Sequence, residues 1–438
     1  MKILLVAPDL ESKFKKSERG FTIPYPIMFS TCGLQLLAAL TPAEHEIRIV
    51  DETINEKPNY GTDWDLVGIS MMTAQSSRGY RIADRFRQRG VKVVIGGYHA
   101  SVLPDEALLH CDAVCVGEGE TVWRRILDDA AQGALAGIYK AETLIDLKDA
   151  PWPRRSLVRE KRFGVKNFIQ TSRGCPNACS FCSVIKFFGD SYRLRPVDDV
   201  ISEIRHLKKT RQLKWNMVFF SDDNICGDPA YAKDLFTRLI PLRVRWGSQC
   251  SISIAEDEEL LRIARESGCV ALAIGLESVS DESLEQANKN AGTVAQHRQA
   301  VRLIHRHRIA VFGLFIFGFD TDGKDVFENT LRFVENNCLE YAMFSVLTPL
   351  PGTVFFDAFR EQGRLLHTNW ADYDFQHVVF TPKNMTAQEL QDGRYHTAKK
   401  IHALRSIIKR IIGAKTNFFF PLIMNLSLKR LYYHLPRI

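Results

Sequence analysis

In the first quarter of the chain, short apolar runs alternate with stretches whose apolar positions recur every three or four residues. The runs Lys2–Ala7, Glu46–Val50, Leu66–Ser70, Lys92–Ile95 and Ala113–Val116 read as buried strands. Helical spacing covers Gly33–Leu40, Ser77–Arg89, Pro104–Leu109 and Glu120–Gln132. This alternation predicts a doubly wound, Rossmann-like parallel sheet. A second series follows. Strands are expected at Phe168-Ile169, Met217–Phe220, Arg245–Ser251, Val270–Leu276, Val311–Phe317 and Phe344–Leu347. The helices between them are expected at Val197–Thr210, Ala230–Leu239, Asp257–Ser267, Asp281–Gln286, Thr293–His307 and Lys324–Asn336. Six repeats predict a partial (β/α)6, TIM-like barrel, open on one side. Beyond Gly352 the pattern is mainly helical, and Thr386 with Glu389 forms a capping box. The expected fold class is α/β with a helical C-terminal region.

In doubly wound sheets ligands sit outside the carboxyl ends of the strands. Those ends carry Ser70 and, just beyond, Thr73, then Gly96-Gly97, then Gly117-Glu118-Gly119. Glycine lets the backbone approach a bulky ligand closely, and hydroxyls beside it can bind polar groups. The plainer role of such glycines is to turn a strand into a helix. In the second series the polar strand ends are Asp222-Asp223-Asn224, Gln249 and Glu277. An acid buried without a partner is costly, so each implies a ligand or an ion pair.

Residues 168 to 183 read Phe-Ile-Gln-Thr-Ser-Arg-Gly-Cys-Pro-Asn-Ala-Cys-Ser-Phe-Cys-Ser, which places Cys175, Cys179 and Cys182 as Cys-x3-Cys-x2-Cys. Three thiolates on one short loop suit three irons of a cubane cluster. A structural zinc site wants four ligands, and no second pair with suitable spacing follows.

The cysteine loop with Phe181 before its last cysteine, preceded by the glycine-bearing strand ends, resembles the radical S-adenosylmethionine (SAM) enzymes that carry a cobalamin (B12)-binding domain. The loop Leu347-Thr348-Pro349-Leu350-Pro351-Gly352-Thr353 is similar to one in the same group. The resemblance covers residues 1–350. It implies a B12-binding-like domain over 1–141, a proline-bearing linker over 142–164, a radical SAM partial barrel over 165–355 and a helical region over 356–438. It implies a [4Fe–4S] cluster on Cys175, Cys179 and Cys182, with SAM on the fourth iron and reductive cleavage to a 5′-deoxyadenosyl radical. Phe181 would shield the adenine side. Asp222, Asp223 and Asn224 would lie by the SAM amino group, and Gln249 and Glu277 by its ribose and carboxylate. Cobalamin would contact Ser70, Thr73, Gly96, Gly97, Gly117, Glu118 and Gly119. Many B12-binding domains carry Asp-x-His-x-x-Gly after the first strand. Here Ala7 to Phe14 read Ala-Pro-Asp-Leu-Glu-Ser-Lys-Phe, so the lower cobalt ligand is unassigned, and His99 reads as a wall residue.

The function this implies is methylation of an unactivated carbon of a small or hydrophobic, even lipid-like, biosynthetic substrate through methylcobalamin. The alternatives are cobalamin-dependent cyclisation, ring contraction or rearrangement, and, from another class, a cobalamin-binding sensor or carrier. An external electron donor such as flavodoxin or ferredoxin is expected. Seven further cysteines lack cluster spacing and read as small buried residues. Cys226 and Cys250 are candidates to face the site. Cys32, Cys111 and Cys115 would be needed for the auxiliary cluster of a methylthiotransferase.

The chain has 438 residues and a net charge of +7, and residues 401–438 contain seven Lys or Arg and no Asp or Glu. That tail accounts for the whole excess. It reads either as a packed helical pair over the barrel mouth or as an interfacial segment on an anionic membrane. No aromatic-and-glycine RNA motif is present, so no nucleic-acid partner is expected. The apolar start, Met1 to Val6, reads as a strand rather than a leader, which predicts a cytoplasmic protein with reduced cysteines.

Overall fold

A computed structural model of the chain describes residues 1–11, 32–158, 168–287, 292–416 and 419–434. Two six-stranded sheets, parallel throughout, dominate it. The first contains β1 (Lys2–Ala7), β2 (Glu46–Asp51), β3 (Leu66–Ser70), β4 (Lys92–Gly96), β5 (Ala113–Val116) and β6 (Gly137–Lys140), in the order β2-β1-β3-β4-β5-β6. Consecutive residues of β1 serve opposite faces, as the pleat requires. Ile3, Leu5 and Ala7 join the core beneath helices Cys32–Leu40 and Trp123–Ala131. Leu4 and Val6 join the core beneath helix Ser76–Arg87. The strand order reverses direction between β1 and β3, and ligand crevices of doubly wound sheets lie at such a point. The sixth strand, β6, is one that the hydrophobic pattern does not mark.

The second sheet contains β7 (Phe168–Ile169), β10 (Met217–Phe220), β11 (Arg245–Cys250), β12 (Cys269–Glu277), β13 (Ala310–Phe317) and β14 (Tyr341–Val346), ordered β14-β13-β12-β11-β10-β7. Each strand pairs with the next strand of this sheet along the chain, and β7 and β14 remain unjoined edges, so the barrel is partial. Two further strands, β8 (Ser172–Arg173) and β9 (Arg193–Leu194), pair antiparallel on either side of the cysteine loop.

The segment between the sheets is pinned at both ends. Arg154 N donates to Gln35 O (3.1 Å), while Trp152 Nε1 donates to Asp199 Oδ1 (2.8 Å) and Arg155 Nη2 to Phe168 O (2.7 Å).

Helices Ala387–Ile401, Leu404–Ala414 and Phe419–His434 form the C-terminal region. The last two do not cover the barrel mouth. They meet the chain where β14 begins, because the buried Arg410 donates to Leu339 O (2.6 Å) and Glu340 O (3.0 Å) and Asn425 Nδ2 donates to Glu340 O (2.8 Å). That is the end of the barrel opposite the carboxyl ends of its strands. Among the described residues no helix is long and apolar enough to cross a membrane.

Candidate active site

The cysteine loop is held from both sides. Upstream, Asp222 lies buried just past β10. One of its carboxylate oxygens accepts from Thr171 N (2.9 Å), Thr171 Oγ1 (2.9 Å), Ser172 Oγ (2.6 Å) and Ser172 N. Burial pushes this carboxyl up to about 6 in spite of those bonds. Gly174 then turns at φ +89°, where a Cβ would stand 2.4 Å from Ser191 O, so a side chain is excluded. Downstream, Ser180 N donates to Ala287 O (3.1 Å) and Phe355 N donates to Ser180 O (3.4 Å).

Between these anchors lie Cys175, Cys179 and Cys182, all half-buried and none in a disulfide. Cys182 N donates to Cys179 O (3.1 Å). Burial pushes the Cys182 thiol up to about 12, with Cys179, Asp223 and Cys175 adding negative charge, so the three sulfurs share one electrostatic neighbourhood. Among the described residues, no three His, Cys, Asp or Glu side chains converge on a point fit for one ion. A cubane binds each thiolate on a different iron, which suits three thiols spread along one short loop.

The neighbouring strand ends differ among themselves. Asp223 faces the space before the loop, and burial together with Asp222 pushes its carboxyl up to about 7. Asn224 points into the barrel wall, where its Oδ1 accepts Ser251 N (2.9 Å). Gln249 is exposed on β11. Glu277 is buried at the end of β12, at φ +57° beside a register shift against β13. Phe181 packs edge-on against Phe319, ring centroids 6.5 Å apart.

A cavity of about 410 Å³ lies between the first sheet and the segments that flank the cysteine loop, Arg173 before it and Ser183-Val184 after it. Ser70, Gly96, Gly97, Gly117, Glu118 and Gly119 line it on one side. Asp223, Phe187 and Phe188 line it on the other. Among the described residues, leaving out its chain neighbours and its own helix backbone, nothing lies within 4 Å of where a Cβ on Gly33, also on the wall, would stand. Thr73 and His99 do not line this cavity. Thr73 is buried, and His99 shares a hydrogen bond from Nε2 with Glu106 Oε1 (3.1 Å) under the edge of Trp370.

Glu118 reaches the cavity wall, but arginines hold its carboxylate. Arg173 Nη1 donates to its Oε1 (2.9 Å), and Arg193 donates to Oε1 (2.7 Å) and Oε2 (2.9 Å). Arg173 Nη2 also donates to Glu120 Oε1 (2.6 Å). Burial raises the Glu118 carboxyl, yet the two guanidiniums hold it below the usual carboxylate range. Tyr98 adds a neutral tie, its hydroxyl donating to Pro351 O (2.7 Å).

The remaining cysteines lie elsewhere. Cys226 and Cys250 are buried in the barrel core with their thiols hydrogen-bonded, and that bond and burial push Cys226 up. Neither lines the cavity. Cys111 is buried and donates from Sγ to Ala107 O (3.1 Å), and it does not join Cys32 and Cys115 in a ligand group.

Two family models match the chain: the radical SAM superfamily over residues 169–334 and the B12 binding domain over residues 28–127. The chain is 31% identical, over 98% of its own length and 94% of the relative's, to the bacteriochlorophyllide d C-12(1)-methyltransferase of Chlorobaculum tepidum. The chain belongs to the cobalamin-dependent radical SAM methyltransferase family. The bacteriochlorophyllide d C-8(2)-methyltransferase of the same organism is 31% identical over 79% of this chain and 80% of that one. The solved structure of the cobalamin-dependent S-adenosylmethionine radical enzyme OxsB with aqua-cobalamin bound overlays with a TM-score of 0.70. It covers 99% of this chain and 73% of that one at 15% identity, a likeness of fold. The cofactors of this radical SAM methyltransferase are a [4Fe–4S] cluster, SAM and cobalamin.

The residues present fit those groups. Three soft thiols on a loop anchored at both ends suit a cubane cluster. The glycine-edged strand ends and the unfilled wall at Gly33 suit a flat, bulky macrocycle. The pattern of the sequence did not reveal Arg173, Arg193 and Glu120 as part of the site. Their partners lie 53 to 75 positions away on the other sheet, and no local periodicity encodes such a pairing.

Proposed function

We propose that this enzyme methylates an unactivated carbon on a small hydrophobic molecule of the tetrapyrrole kind. The observation that carries the reading is the cavity walled by glycine-edged strand ends on one side and, on the other, by Arg173 and Ser183, which flank the cysteine loop, with Asp223. The near full-length similarity to a bacteriochlorophyllide methyltransferase supports the substrate class.

Cys175, Cys179 and Cys182 would hold the cluster, on a loop anchored at both ends. When bound, the cluster supplies the electron that cleaves SAM, and cobalamin carries the methyl group to the substrate. Phe181, backed by Phe319, presents a flat apolar wall on the SAM side. Asp223 offers a carboxylate to the SAM amino group, with Gln249 and Glu277 as polar contacts on the next strands. In this reading Asp222 and Asn224 act one step back, through Thr171-Ser172 and through Ser251. Ser70, Gly96, Gly97, Gly117 and Gly119 form the bed for cobalamin. Glu118 fixes that bed to the barrel. The aromatic rings of Phe187 and Phe188 exclude water from the space between. A low-potential protein such as flavodoxin or ferredoxin delivers the electrons.

Anaerobic turnover of bacteriochlorophyllide d with methyl-labelled SAM and a chemical reductant tests the reading. Label in the recovered chlorin supports methyl transfer. SAM cleavage with an unlabelled, ring-altered product would replace it by rearrangement or cyclisation. An iron-free protein that still binds cobalamin would replace it by a carrier.

A further inference from the structure

The end of the barrel remote from the cavity combines exposed apolar side chains with an excess of positive charge. Helix Leu404–Ala414 buries Ile407, Arg410 and Ile411, yet leaves Leu404, Ile408 and Ile412 in solvent, one per turn. Ile412 is 62% exposed. The next helix leaves Ile423 and Leu426 exposed in the same way. Buried Arg410, bonded also to Asn425 Oδ1 (3.1 Å), clamps the pair to the barrel with these faces outward. Trp215 immediately precedes β10 at the same end of the parallel sheet, and it is 80% exposed. Its backbone sits at φ +55°, and Arg245 Nη2 donates to its carbonyl (3.3 Å). The tryptophan is thus held outward by a left-handed backbone.

The exposed charge around these residues is mainly basic, although Lys409 pairs with Glu335 (3.1 Å) and Arg410 is buried. Residues 401–438 hold seven Lys or Arg and no acid, and the stretch His206 to Asn216 adds Lys208, Lys209, Arg211 and Lys214, again with no acid. Arg405, Lys415, Lys209, Arg211 and Arg243 are exposed there. Helix C-termini favour cations, which accounts for part of the charge but not for the apolar stripe. A second copy seated on the stripe would oppose like charge with like, and nucleic acid offers nothing to five aliphatic side chains. An anionic lipid surface satisfies both: its phosphates face the cations, and its acyl boundary takes the aliphatics and the indole.

We propose that the closed end of the barrel, through the C-terminal helical pair and Trp215, docks on an anionic membrane surface. The surface leaves the cavity residues untouched, so its test is independent of the chemistry proposed above. The anaerobically purified full-length enzyme is sedimented with vesicles of phosphatidylcholine alone or with about 30 % phosphatidylglycerol. Binding to the anionic vesicles, weakened by salt and absent with neutral ones, is the expected result. The double variant Ile408→Ser/Ile412→Ser and the variant Trp215→Asn, which suits a left-handed backbone, should each bind roughly tenfold more weakly or worse. An unchanged visible spectrum shows that the variants fold. Absence of binding, or equal binding to both vesicles, overturns the proposal. So does a concentration-dependent dimer, in sedimentation without lipid, that Ile408→Ser/Ile412→Ser abolishes, because it assigns the face to a second copy.

Discussion

Replacing Glu118 by alanine tests how firmly the two sheets are held to one another. The side chains of Glu118 and Arg173 are 1% and 4% exposed, and that of Arg193 is 15% exposed. Glu118 accepts three guanidinium bonds of 2.7–2.9 Å and one more from Ile145 N (3.0 Å). Removing Glu118 leaves Arg193 without its carboxylate and Arg173 with Glu120 alone, at about 3–5 kcal/mol. That is a large share of a total on the order of 5–15 kcal/mol. Urea unfolding of the reduced apoprotein at neutral pH measures the loss. Pairing Glu118→Ala with Arg193→Met isolates the interaction, and the double variant should recover about 2 kcal/mol relative to the sum of the singles. The pH dependence has a defined sign. The folded carboxyl lies below its ordinary value, so its contribution is complete above about pH 4.3 and disappears as acid titrates the folded form. Wild type and Glu118→Gln should therefore differ at neutrality and converge only in strong acid. A loss below about 1 kcal/mol, or additive single variants, would refute the view that this clamp is what sets the spacing of the two sheets.

Replacing any of Cys175, Cys179 or Cys182 by alanine should abolish both the visible iron–sulfur absorption and reductive cleavage of SAM. Gly174→Ala forces a Cβ against Ser191 O, so cluster content per chain should fall and stability drop by about 2 kcal/mol or more, read by iron analysis and by urea unfolding. Asp222→Asn keeps the accepting oxygen and should retain the cluster, while Asp222→Ala strands four donors and should lose it. Because burial raises the Asp222 carboxyl to about 6, wild-type stability should decline by roughly 2–3 kcal/mol as pH rises from about 4 through that value. Asp222→Asn should remove that slope. Arg410→Met strips partners from Leu339 O and Glu340 O, so the C-terminal helical pair should become the first segment cut in limited proteolysis.

The strands of the first sheet were legible almost to the residue, as Leu66–Ser70 and Ala113–Val116 illustrate, because strands buried on both faces are continuous apolar runs. β6 escaped notice because its pattern, Gly-Ile-Tyr-Lys, buries only Tyr139 among exposed neighbours at a sheet edge. β8 and β9 have two residues each and carry no periodicity at all. The cysteine spacing pointed to the cluster loop directly, since its chemistry is local. Assignments that depended on where a polar strand end points were less visible. Asn224 turns into the wall and Asp223 toward the cavity, although they are neighbours in sequence with similar side chains. The resting place of the tail was equally hidden, since Arg410 reads as a surface charge until Leu339 and Glu340 supply its carbonyl partners.

The carboxylate brace beneath Thr171 and Ser172, with the backbone ties at Ser180, means that the walls of the iron-binding cradle are set by the polypeptide and not by the metal. A molecule stripped of its iron by oxygen would keep that cradle, ready to be refilled from iron and sulfide without passing through an unfolded chain. Damage at the most air-sensitive point of the enzyme would then be a matter of repair instead of replacement.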